Sequence, residues 1–269
     1  MRTLAPTGLA AGSLQATFVP EAGMLCSSLR HEGEELLGPL GIPFLHPWAN
    51  RLERDEVEVA GRLIRAGRRT QRDTNGLPIH GLPARPWRVR AASDTLLVAR
   101  LAFADPAFPF PHTVEQRIDL DATRLRITTT VSDGPAPIAF GFHPYVVLPG
   151  VRREDWIVGL PERKHLVAGA RLLPTGATIR EPAERRPLGR RTFDDGYAEL
   201  RHPRFTLDGG GRRIEVAFTS GYTHAQIYSP ADDDVICFEP MTAPTNALVT
   251  GDGLRIRDTF RAAFEIRVG

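Results

Sequence analysis

Apolar and polar residues alternate with a period of two through most of this chain. In RLRITTTV, residues 124–131, Leu125, Ile127 and Val131 share one face, and RIEVAF, residues 213–218, alternates in the same way. Such alternation is typical of antiparallel strands that have one buried and one solvated face. Five further segments predict similar strands: TLLVARLAFA (95–104), TVEQRIDL (113–120), HAQIYS (224–229), DVICFE (234–239) and AAFEIRV (262–268).

Turn-forming residues separate these segments, and no capped helix of a dozen residues is predicted. The chain contains 25 Gly and 23 Pro among its 269 residues. Sheets that no helix can cover must cover each other, so the pattern predicts an all-β fold, a large antiparallel β-sandwich. Residues 1–269 are expected to form a single domain, with a long surface loop in the stretch rich in Arg and Pro at 176–192.

The charge of the chain is nearly balanced. There are 34 Lys and Arg residues against 32 Asp and Glu, which gives a net charge of +2. This balance gives no general attraction to nucleic acid or to an acidic membrane, so the expected partner is a small molecule. The arginine-rich run at 61–72 contains no aromatic residue and predicts a solvated strand face, although phosphate recognition by some of its arginines is an open alternative.

Cys26 and Cys237 are the two cysteines of the chain and lie far apart in sequence. Their number and spacing argue against a disulfide framework and against a zinc site. No run of 18 apolar residues occurs, and the first 20 residues lack the apolar core of a signal peptide. We therefore expect a cytoplasmic protein, either a monomer or a homodimer.

Four short stretches place functional side chains beside Pro or Gly, which hold the backbone in a fixed direction. They are HPWANRL (46–52), NGLPIHGL (75–82), GFHPYVVL (141–148) and FEPMTAPTNAL (238–248). A glutamate is ionised near pH 7 and a histidine titrates close to it, so Glu239 and the two histidines His80 and His143 suit acid/base chemistry. No local pair with the spacing of metal ligands is present, and neither a metal nor a cofactor is expected.

Taken in order, these stretches resemble the aldose 1-epimerase (mutarotase) family, whose members interconvert the α and β anomers of free sugars. AQIYS, residues 225–229, also resembles the Q-x-Y strand that precedes the glutamate in that family. The resemblance extends from residue 46 to residue 248. It is carried by Asn50-Arg51, by N-x4-H-G from Asn75 to Gly81, by H-P-Y from His143 to Tyr145 and by E-P-x-T-x-P-x-N-A from Glu239 to Ala247.

The resemblance implies the fold and the reaction. The fold is the galactose mutarotase-like supersandwich, with the sugar on its concave face. Glu239 would remove the proton from the anomeric hydroxyl while His143 protonates the ring oxygen, so that the ring opens and can close again on the other face. No cofactor is consumed in this chemistry.

Further residues match positions at which the family binds the sugar. Asp195 is the alternative to its neighbour at position 194, because an alignment by eye can be displaced by one residue. Tyr145, beside His143, is the aromatic residue expected near the pocket. The substrate-binding set implied in this way is Arg51, His80, Asp194, Gln226 and Tyr145.

Three other functions remain open from the sequence. The first keeps the chemistry but takes a hexose 6-phosphate, bound by arginines of the 61–72 run or elsewhere. HGL and HPYVVL depart from the H-G-G and H-P-Y-F-N-L that galactose mutarotases commonly have, which leaves the identity of the sugar open. The second is a sugar-binding protein without activity on the same fold, although binding alone does not require both an acid and a base. The third is glycoside hydrolysis, which would pair Glu239 with an aspartate and leave His143 without a role.

Overall fold

The computed structural model describes residues 6–269 and consists mainly of antiparallel strands. Strands β1 to β14 are Thr7–Ala11, Leu14–Val19, Leu25–His31, Glu34–Glu35, Phe44–Leu45, Glu56–Val59, Arg62–Arg65, Gln71–Arg72, Pro78–Ile79, Arg88–Ala92, Leu96–Asp105, Phe108–Leu120, Arg124–Ser132 and Ala136–Ile138. Strands β15 to β27 are Gly141–Phe142, Tyr145–Val146, Ile157–Leu160, Arg163–Ala168, Pro174–Glu181, Glu184–Pro187, Phe193–Ala198, Arg204–Gly209, Arg212–Ser220, His224–Ser229, Ile236–Met241, Arg255–Arg257 and Phe260–Val268.

Helical structure is confined to single turns in this part of the chain. Two 3-10 turns cover Pro20–Ala22 and Arg153–Asp155, and one α-helical turn, α1, covers Ala247–Thr250. No helix within residues 6–269 is long and apolar enough to cross a membrane.

Two large sheets pack face to face. One has nine strands in the order β10-β11-β12-β13-β27-β23-β22-β17-β20, and the other has eight, ordered β19-β18-β21-β24-β25-β15-β5 with β16 paired to β25. Phe205 of the first sheet stacks on Phe238 of the second with ring centroids 5.4 Å apart, and Phe264 contacts Phe142 at 5.0 Å. The predicted antiparallel β-sandwich is therefore confirmed.

The alternation in the sequence predicts the buried faces of β13 and β27 correctly. In the pairing of β13 with β27, Leu125 lies opposite Ile266 and Ile127 lies opposite Phe264, and all four side chains are buried. Facing apolar side chains of this kind stabilise neighbouring strands and cover the core at the same time.

One prediction about local structure is wrong. The stretch 176–192 was expected to be a surface loop, but it contains most of β19 and all of β20. β19 forms an edge of the eight-stranded sheet, and seven of its eight residues are exposed. An edge strand with so little burial has no apolar alternation, which explains why its sequence pattern does not indicate a strand.

Candidate active site

Three neighbouring strands place polar side chains on one face of the eight-stranded sheet. Phe238 packs on the nine-stranded sheet, so Glu239, the next residue of β25, points to the opposite face. Gln226 of β24 lies directly opposite Glu239 in the register, and Asp194 of β21 lies opposite Tyr228, two residues further along β24. Residues opposite each other or two apart share a face, so the three polar groups converge.

The same alternation distinguishes the two adjacent aspartates. Asp195 lies opposite Ile227, which faces the core side of the sheet. Its carboxylate contacts His165 Nε2 at 3.1 Å, away from the site. Asp194, by contrast, lines the cavity that also contains Glu239.

A carboxylate and an imidazole face each other at the centre of this cavity. His143, between β15 and β16, has its Nε2 atom 3.3 Å from Oε1 of Glu239. The peptide N–H of His143 donates to the carbonyl of Pro43 at 3.1 Å, which fixes the ring from its backbone. Both side chains are almost fully buried, and within the described residues His143 Nδ1 and Glu239 Oε2 have no hydrogen-bond partner.

Burial shifts the proton affinities of this pair in opposite directions. It raises the pKa of the Glu239 carboxyl well above its ordinary value, assisted by the charge of Asp194 and opposed by Arg51. It lowers the pKa of the His143 imidazole well below its ordinary value, and the neighbouring His80 adds to this effect. At pH values between these two pKa values the pair holds one proton, so one member can act as an acid and the other as a base.

Arg51 is held by two carboxylates. Its Nε donates to Asp73 Oδ2 at 2.8 Å, and its Nη2 donates to Asp194 Oδ2 at 2.8 Å. Gln226 Nε2 donates to the other oxygen of Asp194, also at 2.8 Å. The carboxylate of Asp194 is therefore oriented from two sides and presents fixed acceptors to the cavity.

His80 has a defined tautomer because of its contact with Asn50. The peptide N–H of Asn50 donates to His80 Nδ1 at 3.3 Å, which makes Nδ1 the unprotonated nitrogen and leaves Nε2–H as the donor. Burial and the charge of Arg51 lower the pKa of His80 to about 4, so the ring is neutral at pH 7. Asn50 and His80 both adopt left-handed backbone conformations, with φ of 59° and 62°, and such strain is concentrated at functional sites.

Aromatic rings form one wall of the cavity. Tyr145 stacks on His143 with ring centroids 4.2 Å apart, and Tyr228 meets the same imidazole edge-on at 5.7 Å. The cavity has a volume of about 250 Å³. All seven residues predicted from the sequence line it: Arg51, His80, His143, Tyr145, Asp194, Gln226 and Glu239.

Residues of the site that were not predicted from the sequence include Tyr228, which lines the cavity, and Asp73, which holds Arg51. Tyr228 could have been found, because it lies two residues after Gln226 and a strand places both on one face. Asp73 gives no such signal: its carboxylate accepts the peptide N–H groups of Asn75 and Leu77, as an ordinary turn aspartate does. Burial opposes its ionisation, but these N–H groups and the Arg51 guanidinium hold the pKa of Asp73 below its ordinary value.

Gly81 allows the segment that carries His80 to lie against His46, the residue that follows β5. Its φ is 79°, and a Cβ at this position would collide with the carbonyl group of His46. The Gly81→Ala variant is expected to lose about 3 kcal/mol of unfolding free energy, the sum of a left-handed Ala and a forced backbone shift. Urea unfolding measures this loss.

A matched control for Gly81 is available five residues earlier. Gly76 has a φ of 74°, but a Cβ there would have no neighbour within 4 Å. The Gly76→Ala variant should lose only about 1 kcal/mol, because it carries the conformational cost without the collision. Equal losses in the two variants would show that the close approach at Gly81 does not matter.

No group of three or more His, Cys, Asp or Glu side chains in residues 6–269 is arranged to hold a metal ion. The side chains that line the cavity are of types that can bind hydroxyl groups and exchange protons. Carboxylate, guanidinium, amide and imidazole groups converge on a volume suited to one small polar molecule.

Comparisons with known proteins identify the family and the fold. The family model for aldose 1-epimerase matches residues 24–252. A galactose mutarotase related enzyme from Lactobacillus acidophilus has a similar structure, with a TM-score of 0.84, 17% identity, and coverage of 98% of this chain and 97% of that one. A galactose 1-epimerase from the same species gives a TM-score of 0.77 at 14% identity, covering 97% and 92% of the two chains.

A Synechocystis protein is 24% identical, with a TM-score of 0.79 and coverage of 98% of this chain and 96% of that one. At such identities the structural likeness shows the fold alone. None of the curated proteins compared with the chain matches it significantly.

Proposed function

The chain belongs to the aldose 1-epimerase family, and from this premise we propose that it interconverts the α and β anomers of a free aldohexose. The observation that carries the proposal is the buried pair of Glu239 and His143, 3.3 Å apart, in a cavity lined by hydroxyl-binding groups. Opening a hemiacetal requires a base at the anomeric hydroxyl and an acid at the ring oxygen. Both oxygens are attached to C1, so an acid and a base this close together can act on them in the same step.

In the proposed mechanism Glu239 accepts the proton of the anomeric hydroxyl while His143 Nε2 donates a proton to the ring oxygen. The bond between C1 and the ring oxygen breaks, and C1 becomes an aldehyde. Glu239 is then protonated and His143 neutral, which is the arrangement that burial favours for both groups. After rotation about the C1–C2 bond, the C5 hydroxyl oxygen attacks C1 and gives its proton back to His143, while Glu239 gives its proton to the aldehyde oxygen as the ring closes.

The remaining polar groups suit the binding of sugar hydroxyls. Asp194 offers fixed acceptors, while Arg51, Gln226 and His80 Nε2–H offer donors. We propose that these groups hold the hydroxyls on C2, C3 and C4, because these carbons lie on the side of the ring away from the ring oxygen. Tyr145 packs against His143 and holds its ring in the orientation needed for proton donation.

The decay of optical rotation of freshly dissolved α-D-glucose and α-D-galactose tests the proposal. In a dilute buffer, where spontaneous mutarotation is slow, the protein should accelerate the decay for at least one sugar. Acceleration with neither sugar would contradict the proposed function. Inhibition by D-glucose 6-phosphate far below the concentration at which glucose inhibits would favour the hexose 6-phosphate alternative, and tight sugar binding without acceleration would favour a binding protein.

The pH dependence of kcat/KM should reflect the single shared proton. We expect no inflection at pH 6.5, the ordinary value for histidine, because burial lowers the pKa of His143; activity should fall only at a more acidic pH. The fall in activity at alkaline pH, the alkaline limb of the profile, reflects the loss of the last proton from the pair. Burial and the charge of Asp194 raise the pKa of Glu239, so this limb should lie at a higher pH than the ordinary pKa of a glutamate.

The Asp194→Asn variant tests this origin of the alkaline limb. Removing the negative charge lowers the pKa of Glu239, so the limb should move to lower pH, whatever the variant does to KM. A limb that stays in place or moves to higher pH would contradict the assignment. Buffer rates measured at each pH are subtracted, since hydroxide itself catalyses mutarotation.

A further inference from the structure

An apolar trough continues from the sugar cavity. Six residues define it: Leu25, Leu40, Pro43, Leu45, Leu82 and Pro83. Its volume of about 490 Å³ is roughly twice the 250 Å³ of the sugar cavity. His80, His143 and Tyr145 line both spaces, so the trough begins where the sugar cavity ends.

The proposed chemistry determines which part of a sugar faces the trough, and this step therefore rests on the proposed function. Glu239, which acts on the anomeric oxygen, lines the sugar cavity and does not line the trough. His143, which acts on the ring oxygen, lines both the cavity and the trough. The ring oxygen is bonded to C5, and C5 carries C6, so the C5–C6 edge of the sugar lies on the side of the trough.

The polar side chains on one side of the sugar cavity, which we call the polar wall, indicate the same orientation of the sugar. Arg51, Asp194 and Gln226 line the sugar cavity and not the trough. A ring whose C2, C3 and C4 hydroxyls contact this wall must point its C6 group away from it. The trough is therefore the space available to whatever C6 carries.

The lining of the trough selects the chemistry of that group. It is mostly aliphatic, and Leu40, at the boundary of the two spaces, is 60% exposed although it is a large apolar residue. Exposed apolar surface next to a ligand cavity is typical of a surface that a ligand covers. A second sugar ring or a free hydroxyl would lose hydrogen bonds to water there and find few to replace them.

A phosphate on C6 fits this lining poorly. Arg69 is the one arginine or lysine among the residues that line the trough, and 77% of its side chain is exposed. Its guanidinium already lies 3.9 Å from Asp105, whose carboxylate also pairs with Arg85. A phosphate group is usually held by several donors; outside the boundary with the sugar cavity it would meet here one cation at the rim, the amide of Gln71 and otherwise apolar side chains.

We propose that the preferred substrate is an aldohexose that carries a hydrocarbon group on C6, and that this group occupies the apolar trough. Each methylene buried there should raise kcat/KM about fourfold, the fold-change that corresponds to ~0.8 kcal/mol per buried CH₂. A four-carbon chain is long enough to give a clear effect.

Exchange between the α and β anomeric protons, followed by NMR at equilibrium, tests the proposal without pure anomers. The substrates are D-glucose, 6-O-butyl-D-glucose, 3-O-butyl-D-glucose, isomaltose and D-glucose 6-phosphate; the galactose counterparts replace them if galactose is the sugar turned over. The kcat/KM of the 6-O-butyl ether should exceed that of the parent sugar by about tenfold or more, a gain that needs the burial of only about two of its four carbons. The 3-O-butyl ether, whose chain would meet the polar wall, should be the poorer substrate.

Each outcome has one meaning. Turnover of the parent sugar with an equal or lower kcat/KM for the 6-O-butyl ether would overturn the proposal, as would a higher kcat/KM for isomaltose or for glucose 6-phosphate than for that ether. Acceleration of neither the parent sugar nor any derivative would instead overturn the proposed function.

A pair of matched variants assigns the effect to the trough. Leu40→Gln should lower the ratio of kcat/KM for the 6-O-butyl ether to that for the parent sugar by about threefold or more. Ile179 is similarly exposed, at 55%, but lies on β19 and lines neither space, so Ile179→Gln should leave this ratio unchanged. An unchanged ratio in Leu40→Gln would contradict the placement of the hydrocarbon group.

Discussion

Replacing Glu239 by Gln is expected to lower kcat for anomer interconversion by about 10²–10⁴-fold, because the amide cannot accept the proton of the anomeric hydroxyl. Glutamine has the size and shape of glutamate, and the carboxyl in this buried position is already biased toward its neutral form. The fold should therefore tolerate the change. Polarimetry gives kcat, and urea unfolding checks that the variant is folded.

A second buried glutamate provides the control for this experiment. Glu265 is as deeply buried as Glu239, but it pairs with Arg124, Arg126 and Arg267 and lies outside the sugar cavity. Glu265→Gln should lower the free energy of unfolding and leave kcat per folded molecule unchanged. If Glu239→Gln keeps wild-type kcat, Glu239 is not the base.

The second large effect is expected for His143→Gln. A glutamine can still present an N–H group near Glu239, but it cannot give up a proton, so kcat should fall by about 10²–10⁴-fold while KM changes little. His224→Gln is the control, since His224 is a partly buried histidine that does not line the cavity. A rise in KM with an unchanged kcat would show that His143 binds the sugar without acting as the acid.

The two changes should not be additive. Because the acid and the base act in the same step, the loss of either one leaves the other without its partner. The double variant Glu239→Gln with His143→Gln should therefore lie within about tenfold of the slower single variant. Losses that multiply fully would indicate two independent roles.

The strands and the catalytic pair could be predicted from the sequence for different reasons. Alternation reports burial of one strand face, so a strand such as β13, in which a buried face alternates with a less buried one, could be predicted from the sequence pattern alone. Glu239 and His143 could be predicted because Pro and Gly beside a titratable residue hold its backbone in a fixed direction, and because the motifs occur in the order of a known family. The roles of these residues remain predictions until activity is measured.

Other features could not be found in this way. β19 is an exposed edge strand, so its sequence does not alternate between apolar and polar residues. Asp73 supports Arg51 across 22 positions of sequence, and its local pattern is that of any turn. The trough brings Leu25, Leu40 and Leu82 together from separate segments, and each of them, taken alone, has the sequence pattern of a core residue.

In the proposed mechanism one proton, shared by Glu239 and His143, opens and closes a sugar ring. Exchange between the α and β anomeric protons at equilibrium measures this step directly, because no other reaction product is formed. We expect exchange well above the buffer rate with the wild-type protein, on glucose, galactose or a C6-substituted derivative, and exchange near the buffer rate with Glu239→Gln. Exchange at the buffer rate with the wild type, or equal rates for the two proteins, would contradict it.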